Sequence, residues 1–545
     1  MIRLTSLGAL CAALLTLAAC SGDYRPAGPI GGESGTELAE RQVIHIGNGV
    51  DPHTLDPHRA QGVPESNIGR DLFEGLIAEA PNGDLIPGVA ESWEISEDGK
   101  TYTFRLRDNA RWSNGDPVTA GDFVFGMRRS VDPATLSVYS FILAPIENAE
   151  AVIAGELPPE ALGVTAVDDR TLEIRLANPT PYFLGLLTHS ASYAVHQASV
   201  EAAGGEDYWR PGKLISNGAY QLDEWVVQSH VKLVKNPHYW NADAVTIDEV
   251  YWHVTEDINA ELKRFRAGEL DMTNVVPKAQ LSWIRENMPD RLVIAPYLGS
   301  YYYGLNVTKP PFEDNVALRR ALALAIDRDI ITQQITGAGE IPAYGWIPPQ
   351  TANYEGAQMP EAEWTQEERE AEAKRLYAQA GYSTENPLRV ELLYNTQDDH
   401  RRIAVAVAAM WRQVLGVETS IVNQEWKVYL DTRNQKRTQV YRAGWIGDYN
   451  DAYTFAEIQH SQSELNNTGY ANPEYDSLLA LAASETDLEK RARYLQQAER
   501  VLLEDMPLIP IYFYVTARMV QPWVAGYEAN IMDHFRTQDL KILKH

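Results

Sequence analysis

A chain of 545 residues, 45% hydrophobic and 22% charged, has the composition of a globular protein of more than one domain, long enough to bury a large core. A formal net charge of −28 argues against nucleic acid as the partner and against charge-driven docking on anionic lipid, since both need a basic face. The only 2 cysteines, Cys11 and Cys20, lie in an N-terminal leader, which excludes thiol catalysis, cysteine-held metals and disulfides from the remaining chain.

The leader carries Arg3 and an apolar run from Leu7 to Ala19, shorter than the ~20 residues that span a bilayer. It ends in Leu17-Ala18-Ala19-Cys20, which fits a bacterial lipobox with Cys20 as the lipidated first residue; plain secretory cleavage is the alternative. Residues 1–20 are thus read as a lipoprotein signal peptide and 21–40 as a flexible Gly/Ser/Glu-rich tether. Ser21 follows the cysteine in place of an Asp that would favour inner-membrane retention, so either membrane remains open for the anchor. His53 and His58 sit among two prolines and turn-forming aspartates, a pattern of a structured loop more than of a metal site.

Further on, alternation of apolar and polar residues predicts strands at 102–107, 171–176, 301–306 and 388–394. Residues 509–515 form another, with Pro510 placing it near an edge or a start. Helices are expected within 315–336, from the capping box Thr365-Gln-Glu-Glu368 to Gly381, and from Asp399 to Leu415, where Gly416 stops it. A helical pair opens at Asn472-Pro473 and runs to Glu504. Beyond the leader no segment is apolar enough to cross a membrane, and the mixture of strands and helices predicts α/β lobes. The segment 516–545 lacks a helix pattern and is free to return to an earlier lobe.

Catalytic signatures are missing: no Gly-x-Ser-x-Gly, no His-Glu-x-x-His, no Walker A and no dinucleotide glycines. Instead there are 28 Tyr and 13 Trp, including Tyr301-Tyr302-Tyr303, suited to apolar walls with polar tips. The stretch from Arg433 to Asp448 sets Arg442 and Asp448 around Gly444 and Trp445. Two readings are open: a structural salt bridge between Arg442 and Asp448, or a pocket offering a carboxylate to an ammonium and a guanidinium to a carboxylate.

Several segments resemble the periplasmic oligopeptide-binding proteins, extracytoplasmic solute-binding proteins of family 5 that serve peptide ABC importers. They are Gly62-Val-Pro-Glu-Ser66, Arg70-Asp-Leu-Phe-Glu-Gly-Leu76, Pro87-Gly-Val-Ala-Glu-Ser-Trp93, Asn217-Gly-Ala-Tyr220 and Lys235-Asn-Pro-His-Tyr-Trp240. Gln424-Glu-Trp426 and Arg442 to Asp448 point to the oligopeptide branch, and the likeness runs from about residue 42 to the C-terminus.

The resemblance implies a type II periplasmic-binding-protein fold of the α/β class: two lobes with a hinge, plus an appended third domain. Lobe I would comprise 41–74, 199–299 and 516–545, the appended domain 75–198, and lobe II 300–515. It implies capture of extended oligopeptides through backbone bonds, delivery to an ABC permease and its ATPase subunits, a periplasmic, monomeric protein, no cofactor and no bond chemistry. By the same resemblance Asp448 takes the peptide ammonium, and Arg442 and His400 meet the C-terminal carboxylate. Arg433, Trp426, Tyr139, Tyr297, Tyr302, Gly444, Trp445, Val63 and Gln61 line the pocket. Gln61 replaces the family's acid near Arg433, and Gly299 and Ile446 replace a cysteine pair. Thr336 stands where the family carries a lysine for longer peptides, so peptides of three to four residues are expected to bind better than five. A receptor for murein tripeptide, dipeptide or another small solute is the first alternative, and a secreted peptidase the second.

Overall fold

The computed structural model describes residues 35–463 and 465–545, without the side chains of Trp426 and Lys427. The expected signal peptide and Cys20 lie outside the described residues. The tether expected over 21–40 does not extend to its last residues: the Gly35 and Ala39 amides donate to the carbonyls of Lys544 and Ile542 at 2.8 and 2.9 Å. The final residues of the chain give this segment a backbone partner.

Three larger sheets organise the chain. The first orders its strands Val43–Gly49, Glu249–Val254, His230–Lys235, Tyr220–Val226, the first pair parallel and the rest antiparallel. Ile44, Ile46, Leu233 and Trp252 are buried in its core together with Phe535, Leu540 and Ile542, so the C-terminal segment does return to this early part of the chain. The second sheet is antiparallel, ordered Ala90–Ile95, Thr101–Leu106, Thr171–Arg175, Val164–Asp168. Tyr102, Phe104 and Leu106 point inward in strict alternation, against the helix Ala120–Val131.

The third sheet has six strands, ordered Ile341–Pro342, Leu508–Met519, Leu292–Leu305, Val440–Ile446, Arg389–Asn395, Glu418–Gln424. Its core takes the helix Asp398–Leu415 through Ile403, Val407, Trp411 and Leu415, one residue per turn, and Gly416 ends that helix at φ 77°. The capping box at Thr365 and Glu368 opens the helix Gln366–Gln379 as expected. The helical run expected over 315–336 divides into Val316–Leu324 and a wider turn at Ile331–Thr336.

Two of these strands are longer than expected. Leu292–Leu305 and Leu508–Met519 pair antiparallel along their lengths, with the register shifting between Pro296 and Ser300. Beyond that shift, single bridges from Met272 to Ile46 and to Val520 tie their far end to the first sheet. The pair therefore carries the chain between two cores. Pro510 sits near the start of its strand, beside a second register shift at Tyr301/Tyr302, where a missing N–H is tolerated.

Candidate functional site

The site grows from the register between Leu292–Leu305 and Val440–Ile446. Tyr303 faces Arg442, Tyr302 faces Ala443, Tyr301 faces Gly444, Ser300 faces Trp445, and Gly299 faces Ile446. Directly opposed residues share a face and neighbours alternate. Arg442, Gly444, Tyr301 and Tyr303 thus lie on one face, and Tyr302 and Trp445 on the other. Gly299 and Ile446, where the resemblance implies a cysteine pair, are direct cross-strand neighbours here.

Arg442 lies with its guanidinium 4.7 Å from the centre of the Tyr301 ring. It donates to the Tyr514 hydroxyl at 2.9 Å and to Asn395 Oδ1 at 3.3 Å, while its Nε is buried with no hydrogen-bond partner among the described residues. Gly444 is required beside it, because a Cβ there would meet the Tyr514 hydroxyl at 2.6 Å. His400, in the first turn of the helix Asp398–Leu415, stands 3.5 Å from the Tyr301 hydroxyl. Burial, then the charges of Arg442 and Lys278, pull its pKa down to about 3, so the imidazole is neutral at physiological pH. The structure therefore brings Arg442 and His400 together on Tyr301.

Asp448 follows the strand exit. Burial raises its pKa to about 6. Its own N–H donates to Thr454 Oγ1 at 3.4 Å, but among the described residues no cation pairs with its carboxylate. The salt bridge between Arg442 and Asp448 that the sequence left open does not form. Tyr139, from the segment before the second sheet's last strands, lies within electrostatic reach of Asp448, with burial the larger cause of its raised pKa.

The remaining positions named from the sequence lie on several different elements. Tyr302 is buried edge-on against Trp346 at 4.9 Å, its pKa pushed up to about 12 by burial. Trp445 donates Nε1 to Thr454 Oγ1 at 3.4 Å. Tyr297 falls at the register shift of the long strand pair, buried enough to raise its pKa to about 12. Arg433 closes the helix Trp426–Asn434, donates to Asn434 Oδ1 at 3.0 and 3.1 Å, lies 5.8 Å from the centre of the Tyr429 ring, and has no carboxylate partner among the described residues. The side chain of Trp426 is outside the described residues. Val63 is exposed at the first turn of the helix Val63–Leu72, and Gln61 is exposed in the loop before it.

Sequence reasoning missed the residues that hold this geometry. Tyr514 and Asn395 orient Arg442 with no motif to announce them. Lys278 approaches from the segment before the long strands and contacts Glu340 at 3.1 Å and Asp399 at 3.8 Å. Glu340 in turn accepts from Thr336 Oγ1 at 2.8 Å. Thr336, where the resemblance implies a lysine, is therefore two contacts from Lys278, which is already held by acids.

A profile described as bacterial extracellular solute-binding proteins, family 5 Middle, matches residues 84–467. The chain belongs to that family. The family 5 protein is 43% identical over 520 residues to the periplasmic oligopeptide-binding protein OppA of Escherichia coli K12, covering 94% of each chain. It is 42% identical over 517 residues to the periplasmic murein peptide-binding protein MppA of the same strain, covering 94% of this chain and 95% of the relative. Among solved structures, the unliganded open form of MppA superposes with a TM-score of 0.82 at 41% identity, over 94% of this chain and 99% of that one. Haemophilus influenzae OppA in complex with the peptide RPPGFSPFR gives 0.79 at 40% identity, over 93% and 100%. These relatives are receptors, and the family 5 chain is a solute-binding protein, not an enzyme; its fold is the multi-domain α/β fold of the family.

Proposed function

We propose that this family 5 protein is the lipid-anchored, periplasmic oligopeptide receptor of an ABC importer. It holds a short extended peptide by its two charged ends and delivers it to a membrane permease driven by ATPase subunits. The observation that carries this reading is Asp448: a largely buried carboxylate, its pKa raised to about 6, with no cation among the described residues to pair with it. Such a group is costly until an ammonium arrives. Arg442, with neutral His400 beside it, is the matching donor to the C-terminal carboxylate.

Lobe I (41–74, 199–299, 516–545) and the appended domain (75–198) close against lobe II (300–515), with the two long strands as the hinge. Three distinct buried clusters support this division. Arg433, Tyr139, Tyr297, Tyr302, Trp426, Gly444, Trp445, Val63 and Gln61 line the peptide site. The receptor works as a monomer, anchored through Cys20 to either bacterial membrane. Peptides of three to four residues are preferred, because Thr336 offers no charge and Lys278 is held by Glu340 and Asp399. The Haemophilus influenzae relative is solved with a longer peptide, so the limit is assigned to this chain's cations and not to the fold.

A second reading, a receptor for murein tripeptide, is favoured by Arg433, whose guanidinium lacks an acid and would suit an acidic side chain. Calorimetric titration with a tripeptide and its N-acetyl derivative tests the main reading. The free peptide should bind and the acetylated one should lose most of its affinity; equal binding of the two would remove Asp448 from the role given it.

A further inference from the structure

A cavity of about 490 Å³ lies just past Asp448, between the segments 75–198 and 300–515. Phe141, Tyr182 and Leu186 wall it on one side, and Tyr449, Tyr453 and Glu457 on the other. The Tyr182 ring stacks on Tyr449 at 5.0 Å and on Tyr453 at 5.3 Å, so the two segments meet here through aromatic faces.

The charges around this cavity are not balanced. Asp451 is bound bidentate by Arg491 at 2.7 and 2.8 Å, and Arg491 also lies over the Tyr182 and Tyr453 rings at 5.2 and 5.9 Å. That pair cancels. Glu457 accepts one hydrogen bond, from the Tyr449 hydroxyl at 3.1 Å, and among the described residues no cation lies within ion-pair distance of it. Burial raises its pKa to about 8, opposed by the Tyr449 bond and reinforced by the charges of Asp448 and Asp451. The acid is thus largely protonated at neutral pH and gains its charge when a cation enters.

We propose that this cavity binds an alkylammonium group on Glu457, between tyrosine walls. The proposal rests on the peptide reading above and deepens it: with the peptide α-ammonium on Asp448, the group is the basic side chain of the peptide's first residue. Carboxylate and aromatic rings together favour an organic cation over water. Glu457 supplies a negative charge to the side of the site that holds Asp448. A small free amine offers the same chemistry, and the test separates the two sources.

The protein is titrated at pH 7 with Lys-Ala-Ala, with norleucine-Ala-Ala, with Ala-Ala-Ala and with 1,4-diaminobutane alone. Lys-Ala-Ala should bind about tenfold tighter than its uncharged norleucine analogue. In Glu457→Gln the ratio between those two peptides should fall to about one, an internal comparison in one folded protein. If that variant does not fold, the native protein still decides. Measured in two buffers of different ionisation enthalpy, the lysine peptide should release more protons than the norleucine peptide. Binding of diaminobutane that leaves Ala-Ala-Ala affinity unaltered would assign the cavity to free amines. Equal binding and equal proton release by the two peptides, with no binding of the diamine, would overturn the proposal. Failure of Ala-Ala-Ala itself to bind would instead defeat the peptide reading.

Discussion

Arg442 and Asp448 share one strand and its exit, and neither pairs with the other. Arg442 spends its guanidinium on Tyr301, Tyr514 and Asn395, all neutral groups, while Asp448 accepts no cation among the described residues. Two opposite charges so close in sequence, each set in a desolvating environment and kept from the other, are an arrangement that stabilises a bound zwitterion more than the empty protein.

Replacing Asp448 by Asn keeps the shape and removes the charge. Peptide affinity should fall by about 2–5 kcal/mol, the usual cost of truncating one partner of a buried charge pair. N-acetylation and Asp448→Asn should not add, since both remove the same interaction; a double-mutant-style cycle by calorimetry reads this directly, and full additivity would be the contrary result.

At the other end, Arg442 and His400 should differ in weight. Arg442→Met should cost about 2–5 kcal/mol of binding, because the peptide carboxylate would lose its only full charge. His400, neutral with a pKa of about 3, contributes a hydrogen bond, so His400→Ala should cost about 0.5–1.5 kcal/mol. C-terminal amidation of the peptide should erase most of the Arg442 effect. Equal losses in the two variants would contradict this assignment.

The pH dependence follows from Asp448. Its folded-state pKa, about 6, is above the ordinary 3.8, so the empty protein holds this proton more tightly than the unfolded chain and loses stability as pH rises between those values. A bound ammonium reverses that penalty by favouring the carboxylate. The thermal shift produced by a saturating tripeptide should therefore be larger at pH 7.5 than at pH 5; melts with and without peptide at both values would show an equal shift if Asp448 were not the contact.

Length selectivity depends on where cations are free. An extended peptide advances by about 3.3 Å per residue, so each added residue moves the carboxylate past Arg442 and His400. Trilysine and tetralysine should bind more tightly than pentalysine. Equally tight binding of the pentapeptide in the same calorimetric series would reject the limit.

Much of the frame was legible in the chain. The capping box at Thr365, the stop at Gly416 and the alternation at Tyr102 to Leu106 are local patterns with local causes, and they appear where expected. The long strands extended past their apolar cores, because their far ends reach the first sheet and pack on a separate buried cluster around Leu262, Phe265 and Ile284 that sequence alone does not place. Tyr302 and Trp445 also proved to face away from Arg442, a consequence of cross-strand register.

By itself the sequence determined which charges the protein owns: an acid at 448, a guanidinium at 442, a histidine at 400 and no lysine at 336. Tertiary structure alone decided which of them are free. Lys278 is spent on Glu340 and Asp399, and Asp451 on Arg491, while Asp448 and Glu457 have no such partner among the described residues. The reason is physical: pairing depends on distance and desolvation between residues far apart in the chain, and neither quantity is written in their spacing.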